Sequence, residues 1–217
     1  MSLTLYYHPL SSYCWKALIG LYENEIPFDP VLVNLGDPDS RAAFLAVWPA
    51  GKFPVLVDSN RDDAVVPEAT VILEYLDAFH GGAVRFVPSK PEGAWRTRLA
   101  DRVCDLHLHV HMQRIVADRL RSAVDKDPVG VAEARASLIK GYGLIETLLA
   151  DADWLSAGRF GLADCAAFPA LYYGDKVEPI GEEFVQTRDY LKRLGSRTSV
   201  LRVLDEAEPY FQYFPAG

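Results

Sequence analysis

The run Gly51-Lys52-Phe53-Pro54-Val55-Leu56-Val57-Asp58 and, after a polar turn, Val65-Val66-Pro67-Glu68-Ala69-Thr70 decide how this chain is read. Pro54 opens a short apolar strand over 55–57, a position where its missing N–H need not join a ladder. The turn 58–63 returns the chain into a second short strand over 64–66, and the amphipathic run 71–79 then continues a helix expected over 68–80. Phe53 is biased to extended geometry by the proline after it. Its backbone N–H and C=O are therefore placed to pair with a peptide lying along the edge. Glu68, just after Pro67, opens a helix whose first N–H groups face outward with partial positive charge, a seat for a carboxylate.

Working outward, 3–7 reads as an apolar and aromatic strand stopped by Pro9, and 15–23 as an apolar helix preceded by Ser11 and Ser12. A second strand is expected over 28–33, a turn over 35–40 and a short helix over 41–47. The order βαβαββα is that of a thioredoxin-like half with a mixed sheet. Gly81, Gly82, Pro88 and Pro91 mark a linker. Beyond it the pattern is helical throughout. A long helix is expected over 95–121 with Leu99, Val103, Leu106 and Val110 on one stripe, then helices over 128–149, 161–176, 183–194 and 200–206 and an aromatic tail. The domains expected are 1–80 (α/β), a linker 81–92, and 93–217 (all-α).

Half of the 217 residues are hydrophobic and 12% aromatic, enough for a packed core and against disorder. With 22 basic and 30 acidic residues the net charge is −8, which disfavours nucleic acid or an anionic membrane as main partner. Cys14, Cys104 and Cys165 are few and widely spaced, which points to a reducing, cytoplasmic setting with neither disulfides nor a zinc cluster. The first residues carry no basic-then-apolar leader, and no run reaches membrane-spanning length.

The 53–54 strand, hairpin and acidic helix start, followed by an all-helical remainder, resemble the cytosolic glutathione transferases over nearly the whole chain. There a cis-proline strand precedes a helix that opens on an acidic or amide residue and a serine. The resemblance implies glutathione as co-substrate, no metal, a homodimer, and attack of the glutathione thiolate on a small hydrophobic electrophile. A free thiol has a pKa near ~8.5, and lowering it by ~2 units takes ~2.7 kcal/mol of preference for the anion. A hydroxyl donor at a helix start can supply that. Ser11-Ser12-Tyr13-Cys14-Trp15-Lys16 resembles the first-helix start of bacterial serine-type, zeta- and theta-like members, where a serine bonds the thiolate. Ser11 is thus the first candidate, against a plain N-cap. Tyr7, where tyrosine-type members hold their phenol, and Tyr13 are the alternatives. Zeta-type isomerases of maleylacetoacetate carry cysteine where Tyr13 stands and arginine where Lys16 stands. Cys14 reads as a buried, inert thiol.

For glutathione, the resemblance assigns the Phe53 backbone and Pro54 to the cysteinyl unit, Lys52 to the glycyl carboxylate and Glu68 to the γ-glutamyl ammonium. Ala69 stands where the family has a serine, removing one hydroxyl, with the helix-start N–H groups and Thr70 as substitutes. His107 and His111 share a helix face, His109 points away, and two histidines are too few for a metal. Tyr13, His107, His111 and Arg114 are expected to border the electrophile pocket. Gly161-Leu162-Ala163-Asp164 resembles the family's capping box with glycine for the hydroxyl residue. Three functions stand side by side: a glutathione transferase, a zeta-like cis–trans isomerase, and a non-catalytic ligand-binding protein with this fold.

Overall fold

A computed structural model of the chain describes residues 3–150 and 152–215. Strands β1 (Leu3–Tyr7), β2 (Asp29–Leu32), β3 (Val55–Asp58) and β4 (Ala64–Pro67) form one sheet in the order β2-β1-β3-β4. β1 is parallel to β2 and antiparallel to β3, and β4 returns antiparallel to β3 with Pro67 opposite Val55. Helices α1 (Ser12–Glu23), α2 (Pro38–Val47) and α3 (Ala69–Phe79) complete this part. The rest is helical: α4 (Pro91–Val103), α5 (Val110–Arg119), α6 (Pro128–Leu149), α7 (Leu162–Val177), α8 (Val185–Gly195) and α9 (Thr198–Ala207). The expected α/β thioredoxin-like half followed by an all-α half is therefore what the chain adopts. Among the described residues no helix is long and apolar enough to cross a membrane.

Helix starts differ from the expectation, each for a local reason. α1 begins at Ser12, because Ser11 caps it and accepts the Cys14 N–H at 3.3 Å. α2 begins at Pro38 instead of Arg41: Asp37 caps by accepting the Asp39 N–H at 3.1 Å, and Pro38 supplies a preset φ in the first turn. Pro91 does the same for α4, which starts inside the stretch expected as linker.

The stripe Leu99, Val103, Leu106 and Val110 is not the buried face of the long helix. Only Val103 is buried; the other three face solvent. Between α4 and α5, Cys104–His109 form a π-helical turn closed by the Val110 N–H on the Asp105 carbonyl. The inner face runs through Thr97, Asp101, Cys104, Asp105, Leu108, His109 and Met112. Thr97, Asp101, Asp105 and His109 are set among its apolar residues, so a count of apolar residues misplaces it. Gly141 of α6 is what lets that helix approach the turn: a Cβ there would lie 2.3 Å from the His107 carbonyl oxygen.

The two halves share one core. Trp15 of α1 is fully buried, with ring contacts to Phe168, Tyr172 and Tyr173 of α7. Asp164 staples α7 to its surroundings, accepting from the Leu155, Ser156 and Gly161 N–H groups and the Tyr190 hydroxyl. A second tie is ionic. The buried Lys16 ammonium lies 2.6 Å from Asp101 and 3.0 Å from Asp105, and it donates to Thr70 at 2.7 Å.

Candidate functional site

The turn between β1 and α1 is the centre of the site. The Ser11 N–H bonds the His8 carbonyl at 2.9 Å, closing the turn. Both its inner carbonyls are held from outside: the Trp15 indole donates to Pro9 at 2.5 Å, and the Tyr173 hydroxyl donates to Leu10 at 3.0 Å. A cleft of about 300 Å³ opens beside this turn. Its walls include His8, Ser11, Ser12 and Phe53 from the α/β half. Met112, Gln113, Val116 and Leu120, Tyr173 of α7, and Tyr213 and Phe214 of the aromatic tail close it from the helical half.

Of the three candidate donors, only Ser11 lines this cleft. Its oxygen accepts the Cys14 N–H through a lone pair, and its hydroxyl hydrogen, which also faces the Cys14 sulfur, can be turned to a ligand in the cleft. Tyr7 instead borders a separate cavity with Tyr22, Phe28 and Glu206, and burial raises its phenol pKa, with Glu206 adding to the effect. Tyr13 packs its ring on His109 at 4.4 Å between centroids; burial and then Asp105 push its phenol up to about 12. Cys14 is wholly buried, and burial pushes its thiol up to about 12, against a lowering pull from Ser11 and the His8 backbone. It remains a protonated thiol at neutral pH.

Phe53 and Pro54 are joined by a cis peptide bond. Phe53 lies outside the β3 ladder, which starts at Val55, and its ring stacks on His8 with centroids 6.1 Å apart. Lys52 is exposed on the loop just before it. Glu68 occupies the left-handed region, φ 70° and ψ 119°, which a non-glycine residue adopts at a cost of about 1–3 kcal/mol. Its side chain is exposed and makes no cap bond to the α3 it precedes, so the carboxylate is presented outward. Ala69 is buried at the first position of α3.

Thr70 is placed differently from the expectation. Its hydroxyl is taken by Lys16, by Asp101 at 3.0 Å and by Arg102 at 2.5 Å, inside the ionic cluster. The row His107, His111 and Arg114 is not brought to the cleft either. The His107 side chain is exposed while its backbone carbonyl meets Gly141 of α6, and Arg114 pairs with Asp127 and Glu133 at the start of α6, both at 3.5 Å. The cleft face of the helix is one step round, at Met112, Gln113 and Val116. His109, expected to point away, is fully buried with its Nδ1 3.5 Å from Asp105. Sequence reasoning passed over His8 and Tyr173. His8 carried a local signal, a His-Pro turn directly before the candidate serine, whereas Tyr173 reaches the turn from 163 residues away.

Two family models match: the glutathione S-transferase N-terminal domain over residues 5–83 and the C-terminal domain over 128–193. FtsZ-localized protein A of Caulobacter vibrioides is 27% identical over 219 residues, spanning 95% of this chain and 92% of that protein. Glutathione S-transferase GstB of Escherichia coli K12 is 25% identical over 158 residues, 72% of this chain and 76% of its own. Among solved structures, a glutathione S-transferase of Methylobacillus flagellatus with glutathione bound superposes with a TM-score of 0.83 at 23% identity, covering 93% of this chain and 98% of that one. Likeness at that identity speaks to the fold.

Proposed function

Because this chain belongs to the glutathione S-transferase family, we propose that it binds glutathione and activates its thiol for attack on small hydrophobic electrophiles. The observation that carries the reading is the cleft in which Ser11 and Phe53 meet an apolar wall from the helical half. Glutathione lies along 53–54, its cysteinyl unit on the Phe53 backbone and its glycyl carboxylate toward Lys52. The γ-glutamyl ammonium meets the outward carboxylate of Glu68. Its carboxylate meets the N–H groups at the start of α3, around Ala69, without help from the Thr70 hydroxyl. The thiol gives its proton to water, and the Ser11 hydroxyl donates to the thiolate. The sulfur then bonds the electrophilic carbon, and a leaving group departs or the product carbanion takes a proton from solvent. Met112, Val116 and Leu120 hold the electrophile, and proximity supplies much of the rate.

The serine-type, zeta- or theta-like grouping, the cytoplasmic setting and the domain limits 1–80 and 93–217 are part of the same proposal. So is a homodimer, for which the outward stripe Trp95, Leu99, Leu106 and Val110 offers an apolar face. A zeta-like isomerase would use the same thiolate without consuming glutathione.

One observation favours a second, non-catalytic reading. FtsZ-localized protein A matches along nearly the full length of both chains, and its name describes localization rather than conjugation. Calorimetry with glutathione, together with the absorbance of bound thiolate across pH for the wild type and Ser11→Ala, separates the two. Transferase function predicts wild-type binding and a bound thiol whose pKa rises by ~1–2 units in Ser11→Ala, with affinity nearly intact. Absence of binding supports the non-catalytic reading, and an unchanged thiol pKa removes Ser11 from its role.

A further inference from the structure

His8 has chemistry that the reading above leaves unused. It sits two residues before Leu10, whose backbone N–H donates to its Nδ1 at 3.2 Å. An Nδ1 that accepts a hydrogen bond carries no proton, so the neutral ring carries its proton on Nε2. Burial lowers the imidazole pKa, which keeps the ring neutral at pH 7. The ring plane is fixed from two sides, stacked on Phe53 at 6.1 Å and met edge-on by Tyr210 at 5.8 Å. His8 and Ser11 close the same turn and line the same cleft.

We propose that His8 is a second hydrogen-bond donor to the ligand sulfur in this cleft, its Nε2–H acting beside the Ser11 hydroxyl. The inference rests on the glutathione reading and adds a residue to it. The tautomer decides the role. With Nε2 already protonated and Nδ1 engaged by the Leu10 N–H, the ring has no free site to take the thiol proton. It is a donor to the anion rather than a base. No bond is made or broken at the imidazole, and the thiol proton still leaves to water. The rigid turn, held through Pro9 and Leu10 by Trp15 and Tyr173, means that two donors wait in place before the thiolate forms.

Two substitutions separate this role from a merely structural one. His8→Asn sets an amide oxygen near the place of Nδ1, keeping the acceptor for Leu10 while removing the donor. His8→Gln sets an amide N–H near the place of Nε2, keeping the donor while loosening the turn. Thiolate absorbance of bound glutathione is titrated in each, alongside calorimetric affinity and single-turnover conjugation of an aryl halide. Expected is a bound-thiol pKa raised by about one unit in His8→Asn, with about tenfold less thiolate below that pKa. His8→Gln should stay near the wild-type value. If His8→Asn binds glutathione with an unaltered thiol pKa, or if His8→Gln carries the larger shift, His8 is a turn lock and the inference is overturned. A wild-type protein without affinity for glutathione overturns the underlying reading first, and this inference with it.

Discussion

Replacing Lys16 with methionine removes the cation at the centre of the cluster that joins α1 to α3 and α4. The cluster is balanced: the Lys16 and Arg102 charges meet the carboxylates of Asp101 and Asp105, with Arg102 at 2.7 and 2.5 Å. The Lys16 side chain is fully buried and the Asp101 side chain is 1% exposed. Taking one partner from a buried pair costs about 3–5 kcal/mol, a large share of the roughly 5–15 kcal/mol that holds a folded protein. The pH dependence is the sharper test. Burial acts to raise the Asp105 carboxyl, but the His109 hydrogen bond, Lys16 and Arg102 hold it well below the ordinary carboxylate range. A carboxyl held low in the folded state contributes stability above its unfolded pKa of about 3.9, and that contribution is lost as pH falls through the folded value. Without Lys16 one of the groups holding it low is gone, so the carboxyl moves upward and its contribution to stability shrinks. The gap between wild type and Lys16→Met should therefore be widest at neutral pH and narrow as pH falls toward the variant's raised carboxyl value. Urea midpoints followed by tryptophan fluorescence at pH 7.5, 5 and 4 measure it. A loss under about 1 kcal/mol at pH 7.5, the scale of an exposed pair, would refute the reasoning. So would a gap that stays constant with pH.

Glu68→Gln should weaken glutathione binding roughly 10- to 100-fold, the worth of about 1.5–3 kcal/mol for a bond to a charged group, while the saturated rate is kept. Calorimetry checks it, and equal affinity would place the ammonium elsewhere. Gly141→Ala should lose about 1–3 kcal/mol by overpacking, despite a gain of up to ~1 kcal/mol in helix propensity. A melting temperature that holds or rises would mean that α6 can retreat from the His107 carbonyl. Tyr173→Phe removes the hydroxyl that holds Leu10 and should cost about 1 kcal/mol of stability. Its main effect should be a fall in kcat with KM little changed; a change in KM alone would argue that the turn needs no such support.

The α/β half was legible because its signals are local. Pro54 before an apolar triplet, the polar turn and the period of 71–79 each act within a few residues, and all appear in β3, β4 and α3. The start of α2 was equally local but ambiguous, since Asp37-Pro38 serves both as a turn and as a cap with its first helical residue. The inner face of the long helix was illegible for a different reason. Asp101, Asp105 and His109 are buried because Lys16, Thr70 and Tyr13 come from far along the chain to meet them. No window on 95–121 contains those partners, and the π turn shifts the register of the residues that follow it.

The same division explains how the site is built. The groups that would touch the sulfur lie on one short turn, within four residues of sequence, and follow from local rules of capping and tautomer. What holds them still comes from elsewhere. Trp15 is gripped by α7, Tyr173 reaches in from the same helix, and Tyr210 and Phe214 of the tail pack on His8 and Tyr173. A donor stabilises an anion best when it needs no reorganisation as the charge appears. In this architecture the helical half acts on the chemistry by fixing the turn as well as by walling the electrophile. Substitutions in α7 that leave the cleft walls intact should then act on the rate more than on affinity, because they free the turn without removing any group that meets the ligand.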